Sequence, residues 1–295
     1  MTEEERSHHR FRLGNREIEL GRRTLIMGIL NVTPDSFSDG GEHLDPEEAV
    51  DHALRMAEEG ADLIDVGGES TRPGSAGVDL EEEKRRVLPV VSRLRDRCPI
   101  PVSVDTSKAE LAEEALRAGA AMVNDVTGLT GDPKMVEVVR DHGAALCIMH
   151  MLGSPRTMQK NPRYEDVVCE VKQFLHAQAD LAVKGGVPED RIFIDPGIGF
   201  GKTLADNLKL MARCRELGAG RYPVLVGPSR KSFIGALLEL PVEERLEGTL
   251  GAVVAAVAGG AHAVRVHDVK EAYRTLRVAD SILLATTMDG DIEAV

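Results

Sequence analysis

Eight short apolar segments, each followed by a cluster of polar residues, constrain the fold of this chain more than any other feature. Near-continuous apolar runs of this length are typical of strands that are buried on both faces, as in parallel sheets. In chain order the segments are LIMGILNV, DLIDVGGES, PVSVDTS, MVNDVTG, ALCIMHM, RIFIDPG, PVLVGPS and AVRVHDV. The pattern therefore predicts eight buried strands whose polar ends follow one another along the chain.

Helical patterns occupy the stretches between these segments. Asp45 and Pro46 are a typical N-cap and first helical residue, and an apolar stripe follows them. Ser107, with Glu110 three residues later, predicts a capping box at the start of another helix. Strand and helix alternate eight times in about 250 residues, which predicts a (β/α)8 TIM barrel. A doubly wound sheet is the second candidate, although it usually has fewer strands.

The chain has no stretch rich in Pro, Gly or Ser that would separate two domains, so we expect a single domain. The segment FRLGNREIEL precedes the first predicted strand and is typical of a small hairpin that turns at Gly14 and Asn15. We expect the tail and hairpin to span about residues 1–24 and the barrel about residues 25–288. The hairpin would then cover the bottom of the barrel.

Composition argues against several classes of function. The formal net charge of −13 and an aromatic content of 3% disfavour a nonspecific nucleic-acid binder and a base-stacking surface. The four cysteines are far apart and form no zinc-type spacing, which suits a reducing cytosol. We expect a cytoplasmic protein without membrane association, because the first residues are charged and the longest apolar stretch is short and rich in Gly and Ala.

The segment DPGIGFGKT ends like a phosphate-binding P-loop but fails the spacing of that motif. Pro196 stands where the P-loop needs its first glycine, and Gly197 comes one residue too late. We therefore predict a glycine-rich turn that brings the backbone close to a ligand other than ATP. For Lys202, an added positive charge and a simple capping of the loop remain equally open.

In a TIM barrel, function resides at the carboxyl ends of the strands. Asp105, Asn124 and Asp195 end three different predicted strands, and buried carboxylates need partners. A planar ligand rich in donors, such as the edge of a pterin or purine, would satisfy them, with Lys231 complementing its acceptors. The alternative for each residue alone is that it caps a helix or braces a loop. Three such residues at separate strand ends favour a shared ligand.

The first and last predicted strands are neighbours in a closed barrel. Asn31 ends the first, and Arg265 and His267 lie two residues apart in the last, so these two should point the same way. Together they predict an anion site for phosphate or diphosphate. The alternative is a salt bridge from Arg265 to Asp268 or a contact with a helix end.

Two further features suggest how a second substrate is held. Phe37 is a lone aromatic residue in the polar loop after the first strand, and it packs locally or belongs to a lid over an aromatic substrate. Ser232 precedes an apolar helix, whose first N–H groups would favour a carboxylate. Simple capping by the serine is the other interpretation.

The ordered set of segments resembles dihydropteroate synthase, over roughly residues 25–269. The resemblance implies condensation of 6-hydroxymethyl-7,8-dihydropterin diphosphate with p-aminobenzoate to give 7,8-dihydropteroate and diphosphate. It also implies folate biosynthesis, Mg²⁺ as cofactor, inhibition by sulfonamides and a homodimer. The segments that carry it are MGILNVTPDSFSDGG, DVGGESTRPG, SVDT, VNDVTG, IMHM, DPGIGFGKT, SRKSFIG and RVHDV.

Residue roles follow from this resemblance for the pterin. Asp105, Asn124, Asp195 and Lys231 match the pterin-binding positions, and Met149 of IMHM is expected to contact substrate. Lys231 also counts among the expected catalytic residues.

For the diphosphate, the resemblance implies that Asn31, Arg265 and His267 lie in the diphosphate and Mg²⁺ region, with Asn31 as the metal ligand. Asp39 and Arg72 match loop residues that organise diphosphate and the developing cation. Asp39, Arg72, Arg265 and His267 are thus expected to be catalytic.

For p-aminobenzoate, the resemblance assigns Phe37, Thr71, Pro73 and Ser232 to the binding pocket. A pterin-binding methyltransferase that delivers a methyl group from methyltetrahydrofolate to a corrinoid protein shares the fold and is the alternative. Phe37, Arg72 and Ser232 weigh against this alternative, because such a methyltransferase needs neither a diphosphate site nor a p-aminobenzoate pocket. A barrel that has lost activity is a third hypothesis, and the intact polar strand ends argue against it.

Overall fold

Each of the eight apolar segments forms a strand, and two more strands precede them. The computed structural model describes residues 6–33, 45–70, 77–154 and 156–285. The strands are β1 His9–Leu13, β2 Arg16–Leu20, β3 Leu25–Asn31, β4 Leu63–Gly67, β5 Val102–Asp105, β6 Met122–Asp125, β7 Ala145–Met149, β8 Ile192–Asp195, β9 Leu225–Val226 and β10 Ala263–Val266.

Helices follow the barrel strands and cover the outside of the sheet. Their buried side is lined by Ala, Val and Leu, which pack against the outward side chains of the strands in one large cluster. The helices are α1 Pro46–Glu58, α2 Leu80–Arg97, α3 Ala109–Ala118, α4 Met135–Asp141, α5 Val167–Lys184, α6 Leu204–Ala212, α7 Cys214–Gly218, α8 Ser232–Leu238, α9 Leu246–Ala258 and α10 Val269–Ala285.

The eight strands from β3 to β10 pair in parallel, in the order β8-β7-β6-β5-β4-β3-β10-β9. A parallel bridge between Ile194 and Val224 joins the two ends of this order, and the N–H of Ile194 donates to the carbonyl of Pro223 at 3.1 Å. The sheet therefore closes on itself. This confirms the (β/α)8 barrel and excludes the doubly wound alternative, which leaves two sheet edges open.

The inner face of the barrel changes from apolar to polar along the strands. Met27, Met122 and Phe193 are at most 3% exposed and belong to one apolar cluster. Two residues further along β6 and β8, the same face carries Asn124 and Asp195, because alternate residues of a strand share a face. The apolar layer closes the barrel below, and the polar layer lies at its carboxyl-end mouth.

The hairpin of β1 and β2 covers the bottom of the barrel, as predicted. Its two-residue turn includes Gly14 at φ 61°, a left-handed conformation that glycine adopts at little cost. Phe11 and Leu20 are at most 1% exposed and pack into the same apolar cluster as Cys147. Cys147 therefore fills volume in the apolar core.

The start of α3 differs from the predicted capping box. Its N-cap is Lys108 and makes no side-chain cap hydrogen bond, so Ser107 and Glu110 do not form the box. Instead the N–H of Ala109 donates to a carboxylate oxygen of Asp132 at 3.1 Å, a residue from the loop after the next strand. A tertiary contact replaces the local one, and the segments on either side of β6 are thereby tied together.

Within the described ranges, no helix combines the length and the apolar character needed to cross a bilayer.

Candidate active site

The polar layer at the mouth is organised around Arg265 of β10. Its Nε donates to Asp65 Oδ2 at 2.7 Å and its Nη2 to Asp105 Oδ2 at 2.9 Å. Asn124 Nδ2 donates to the same oxygen of Asp65 at 2.9 Å. Four side chains from β4, β5, β6 and β10 therefore form one hydrogen-bonded network across the barrel.

This network holds more negative than positive charge. Asp65 is fully buried, and its Oδ1 has no hydrogen-bond partner in the described part of the chain. Burial raises the pKa of Asp105, and Asp65 raises it further, while Arg265 opposes the shift. Burial disfavours the charge of Arg265, yet the two carboxylates raise its pKa above the usual value. Two carboxylates that share one guanidinium retain capacity to accept further N–H donors.

Asp195, the last residue of β8, is 5% exposed and forms a second acceptor at the mouth. Its Oδ1 accepts from the N–H of Gly197 at 2.7 Å. Burial raises the pKa of Asp195, with Lys231, the Gly197 N–H and Lys202 opposing the shift. Gly197 has φ 66°, and a Cβ there would lie 2.0 Å from the carbonyl oxygen of His150. The close turn predicted from DPGIGFGKT is confirmed.

Lys231 faces Asp195 from the loop that follows β9. Its ammonium donates to the carbonyl of Ile198 and lies 4.3 Å from the ring centroid of Phe200. Burial lowers the pKa of Lys231 to about 8, although the charge of Asp195 opposes this. Arg245 donates to the carbonyl of Arg230 at 3.1 Å and so fixes the backbone just before the lysine. A half-buried lysine is thus held where its charge interacts with the buried carboxylate of Asp195.

Met149 and Asn31 complete the strand ends. Met149 is the register partner of Asp195 and is 3% exposed, so it supplies an apolar side to the pocket floor. Asn31 ends β3 beside Gly67 of β4 and is half-buried. β3 also pairs with β10, where Arg265 is the register partner of Met27, so Asn31 lies four residues further along the neighbouring strand.

Arg265 and His267 each have a side-chain partner within the described ranges. The guanidinium of Arg265 is bound to Asp65 and Asp105 inside the barrel, and His267 Nδ1 lies 2.9 Å from Ser229 Oγ. Their joint anion site stays a prediction. The alternative salt bridge from Arg265 to Asp268 is wrong. The two buried carboxylates attract the guanidinium inward, and Asp268 binds the side chain of Arg230.

Ser232 is the first residue of α8 and is exposed, with Lys231 as the N-cap. Its hydroxyl is thus accessible beside Lys231 at the start of the helix. The remaining predicted site residues lie outside the described part of the chain. They are Phe37, Asp39, Thr71, Arg72 and Pro73.

Asp65 is a functional candidate that the sequence analysis did not assign to a site. It lies inside the apolar run DLIDVGG, where a charged residue in a strand buried on both faces needs a partner. The charge in the apolar run was visible in the sequence, but Arg265, the partner of Asp65, is 200 residues away along the chain. Only closure of the barrel brings the two together.

The fit of a metal ion rests on one residue. Across the described ranges, no group of three or more His, Cys, Asp or Glu has the arrangement of a metal site. Asn31 supplies a single amide oxygen at the mouth. This suits Mg²⁺, which commonly takes one or two protein oxygens and completes its shell with substrate phosphates and water. A closed protein cage for a metal is not formed by these residues.

Comparison with known proteins agrees with this geometry. Residues 27–267 match the family model described as pterin binding enzyme. A dihydropteroate synthase from Synechocystis is 47% identical over 271 residues, covering 92% of this chain and 94% of the relative. The chain belongs to the dihydropteroate synthase family. The family match includes the carboxyl ends of all eight barrel strands, from Asn31 of β3 to Val266 of β10.

Solved structures of the family share the fold closely. Dihydropteroate synthase from Xanthomonas albilineans with 4-aminobenzoic acid has a TM-score of 0.87 and 44% identity, and covers 96% of this chain and 100% of that one. The Yersinia pestis enzyme in a sulfonamide complex has a TM-score of 0.86 and 44% identity, with coverage of 95% and 98%. The methyltransferase alternative is therefore not favoured, and the chain is a transferase of folate biosynthesis.

Proposed function

We infer that the protein condenses 6-hydroxymethyl-7,8-dihydropterin diphosphate with p-aminobenzoate to give 7,8-dihydropteroate and diphosphate. The observation that carries this inference is the mouth itself, where Asp105, Asn124 and Asp195 end three strands of a pterin-binding family barrel and Lys231 follows from the loop after β9. The relative from Synechocystis is a dihydropteroate synthase, and the structure of the Xanthomonas enzyme contains 4-aminobenzoic acid, which supports this inference.

The proposed pterin contacts follow from donor and acceptor chemistry. A pterin presents an amino group and ring N–H donors beside a carbonyl acceptor on one edge. Asp105 and Asp195 accept hydrogen bonds when ionised, the Asn124 amide does both, and Lys231 only donates. Asp65 positions Asn124 and Arg265 without being needed as a ligand. The acceptor-rich mouth therefore fits the donor-rich edge of the ring.

The diphosphate is proposed to lie over the ends of β3 and β10. Arg265 retains Nη1, which has no hydrogen-bond partner within the described ranges, and His267 and Asn31 flank it along the chain and the sheet. Asp39 and Arg72 are proposed to act from the loops that lie outside the described residues. Cations at this position stabilise the charge that the leaving diphosphate gains.

Magnesium is proposed to be held by Asn31 together with the diphosphate oxygens. When bound, Mg²⁺ supplies Lewis-acid stabilisation of the leaving group. Asn31 orients its amide oxygen from the end of β3, and Arg265 at the neighbouring strand end adds a fixed positive charge.

The second substrate is proposed to enter beside Lys231 and Ser232, where the exposed serine meets the carboxylate of p-aminobenzoate. Phe37, Thr71 and Pro73 are proposed to complete this pocket. In the reaction the methylene carbon loses diphosphate and forms a bond to the amine nitrogen, which releases one proton. The electron-rich dihydropterin delocalises the developing cation, so a covalent protein nucleophile is not required. Buried Cys147 is accordingly given no role.

The test is the release of diphosphate by purified protein. We expect release, with formation of 7,8-dihydropteroate detected by mass spectrometry, only when both substrates and Mg²⁺ are present. The substitution Lys209→Met on the exposed face of α6 is a control that should retain full activity. Absence of product with both substrates, from folded protein, would refute the proposed function.

Two further proposals concern the whole protein. We propose a homodimer, on the strength of the family resemblance, and its mass in solution by light scattering tests this. We propose a cytoplasmic location, supported by four dispersed free cysteines, and cell fractionation tests it.

A further inference from the structure

Lys202, the lysine of the segment that resembles a P-loop, is buried rather than exposed. It is 3% exposed and immediately precedes α6, whose N-cap Thr203 forms a capping box with Asp206. Capping is therefore performed by Thr203, and the lysine side chain points elsewhere. A buried ammonium is costly unless it is fully hydrogen-bonded, so its partners indicate what it does.

The ammonium of Lys202 has three acceptors. It donates to the carbonyl of Phe200 at 2.9 Å, to His150 Nδ1 at 3.0 Å and to the carbonyl of His150 at 3.3 Å. An ammonium has no lone pair, so His150 Nδ1 must be the acceptor and His150 must be neutral. Burial lowers the pKa of His150 to about 3, and the charge of Lys202 lowers it further, which agrees with this arrangement.

The turn that follows β8 is held by side chains on both sides. The carbonyls of residues 198, 199, 200 and 201 each accept a hydrogen bond from a different side chain. The donors, in that order, are Lys231, Gln159, Lys202 and Tyr164. Four consecutive carbonyls thus have fixed directions, which a glycine-rich segment would not maintain alone. Lys231 and Lys202 thus bind carbonyls two residues apart in the same turn.

This turn connects Lys202 to the proposed pterin contacts. The carbonyl of Ile198 accepts a hydrogen bond from the Lys231 ammonium, and the ring of Phe200 lies against the same ammonium. The N–H of Gly197 at the start of the turn binds Asp195. A movement of the carbonyl of Phe200 would therefore displace the anchor of Lys231 and the N–H donor of Asp195 together.

We propose that Lys202 is a positioning residue of the pterin site: it fixes the turn that places Lys231 and the Gly197 N–H donor of Asp195, and it adds a positive charge to that turn. The inference rests on the proposed function and adds a residue that touches no substrate. His150 is its partner, because it supplies two of the three acceptors that make a buried charge tolerable at this point.

The charged groups around Lys202 support this assignment. Burial lowers the pKa of Lys202 to about 7, while Asp195 and Asp206 raise it and Lys231 lowers it. In turn, Lys202 is among the groups that oppose the rise in the pKa of Asp195. Because the folded-state pKa of Asp195 is raised, the carboxylate loses its charge as pH falls through that value. Removing Lys202 should make this loss begin at a higher pH.

The test compares Lys202→Met with the exposed control Lys209→Met. Binding of 6-hydroxymethylpterin, which has no leaving group, is measured by calorimetry between about pH 5 and pH 9. We expect Lys202→Met to bind roughly tenfold more weakly at pH 7, because hydrogen bonds to charged groups carry this order of free energy. We also expect the acid limb of its pH profile, the range in which pterin affinity falls as pH falls, to move to higher pH. Lys209→Met should match the wild type in both respects.

Two further variants test the proposal if Lys202→Met does not fold. Lys202→Arg keeps the charge and should return the acid limb toward its wild-type position. His150→Leu removes an acceptor and should shift the limb in the same direction as Lys202→Met. Wild-type affinity in Lys202→Met and His150→Leu, or weaker binding in these two variants with an unchanged pH dependence, would overturn the proposal. If the wild type itself does not bind the pterin at any pH, the proposed function has failed as well.

Discussion

At the mouth of the barrel the guanidinium of Arg265 faces two carboxylates, whereas at the bottom the guanidinium of Arg6 faces one. Arg6 donates to Asp280 at 3.2 Å, to Thr24 Oγ1 at 2.8 Å and to the carbonyls of Gly21 and Ala261. Asp280 in turn accepts from the N–H and the hydroxyl of Thr24. The charges of Arg6 and Asp280 are therefore matched by partners within the described part of the chain.

At the mouth, the polar side chains have only some of their hydrogen-bond and charge partners within the described structure. Asp65 Oδ1 has no hydrogen-bond partner in the described structure, and the carboxylates of Asp105 and Asp195 have raised pKa values because of burial. A closed network stabilises the fold, since all its donors and acceptors are satisfied. An open network of the same residue types costs stability and retains the capacity to bind a ligand. Substitutions at the two ends should therefore separate activity from stability.

The largest effect is expected at Arg265. Arg265→Met leaves Asp65 and Asp105 facing each other without a cation and removes a donor from the proposed diphosphate site. We expect kcat/KM to fall by roughly 10³-fold, the scale seen when a transition-state charge loses a fixed partner. Steady-state kinetics with both substrates measures this, and the exposed Arg274→Met is the control. A variant with near wild-type kcat/KM would show that the mouth is not the site of chemistry.

At the bottom, Arg6→Met should affect stability instead. It leaves Asp280 buried without its cation, which typically costs about 3 kcal/mol in the free energy of unfolding. Denaturant unfolding measures this loss, with Arg10→Met on the exposed side of the hairpin as the control. We expect kcat/KM of folded Arg6→Met to stay within about twofold of the wild type. A large loss of activity in folded protein would contradict the division between the two ends.

Asp195→Asn should separate binding from stability within the mouth. The asparagine oxygen can still accept from the Gly197 N–H, but the charge is lost. We expect pterin affinity to fall about tenfold, near 1.4 kcal/mol. Because burial raises the pKa of Asp195, ionisation of this carboxylate opposes folding above that pKa, so the variant should be at least as stable as the wild type at pH 8. A clear loss of stability, unlike that of the exposed Asp141→Asn, would assign Asp195 to the fold.

An effect on stability alone is expected in the acid response at the bottom of the barrel. Burial lowers the pKa of His262 to about 3, and its Nδ1 accepts from the N–H of Val224 at 3.1 Å. Between the unfolded value of about 6.5 and about 3 the unfolded chain binds more protons, so stability is present above 6.5 and falls as pH falls. His262→Gln should reduce this slope, by up to about 1.4 kcal/mol per pH unit.

Thermal melting at about pH 7 and pH 5 measures the change in slope for His262→Gln. The exposed His142→Gln provides the comparison, and it should lose as much stability as the wild type on acidification. An unchanged slope for His262→Gln would mean that the acid sensitivity of the fold arises elsewhere, for example at His150, whose pKa burial also lowers to about 3.

Much of this molecule could be predicted from local patterns. The eight apolar segments correspond to β3 through β10, and the hairpin turns at Gly14 as expected. Asp105, Asn124 and Asp195 lie at strand ends in the mouth, because strand periodicity and the parallel direction of the sheet place them there. The glycines of DPGIGFGKT adopt left-handed conformations, as a turn close to other backbone requires.

Pairings between distant residues could not be predicted in this way. Spacing within β10 placed Arg265 and His267 on one face, but it did not indicate that two carboxylates from β4 and β5 bind the guanidinium. Likewise Ser107 was expected to cap α3, and Asp132 does so from another loop. In each case a local rule competes with a partner that only the fold brings near, and the more buried or more strongly charged partner prevails.

The sequence by itself determined the number of strands, the inward and outward faces of each, and the residue types that reach the mouth. These properties depend on hydrophobic periodicity, which acts over a few residues. Only the tertiary structure decided which charges meet, since closure of the barrel joins Arg265 to Asp65 and buries Lys202 against His150. Electrostatic pairing depends on distance in space and on burial, and neither is contained in the spacing of residues along the chain.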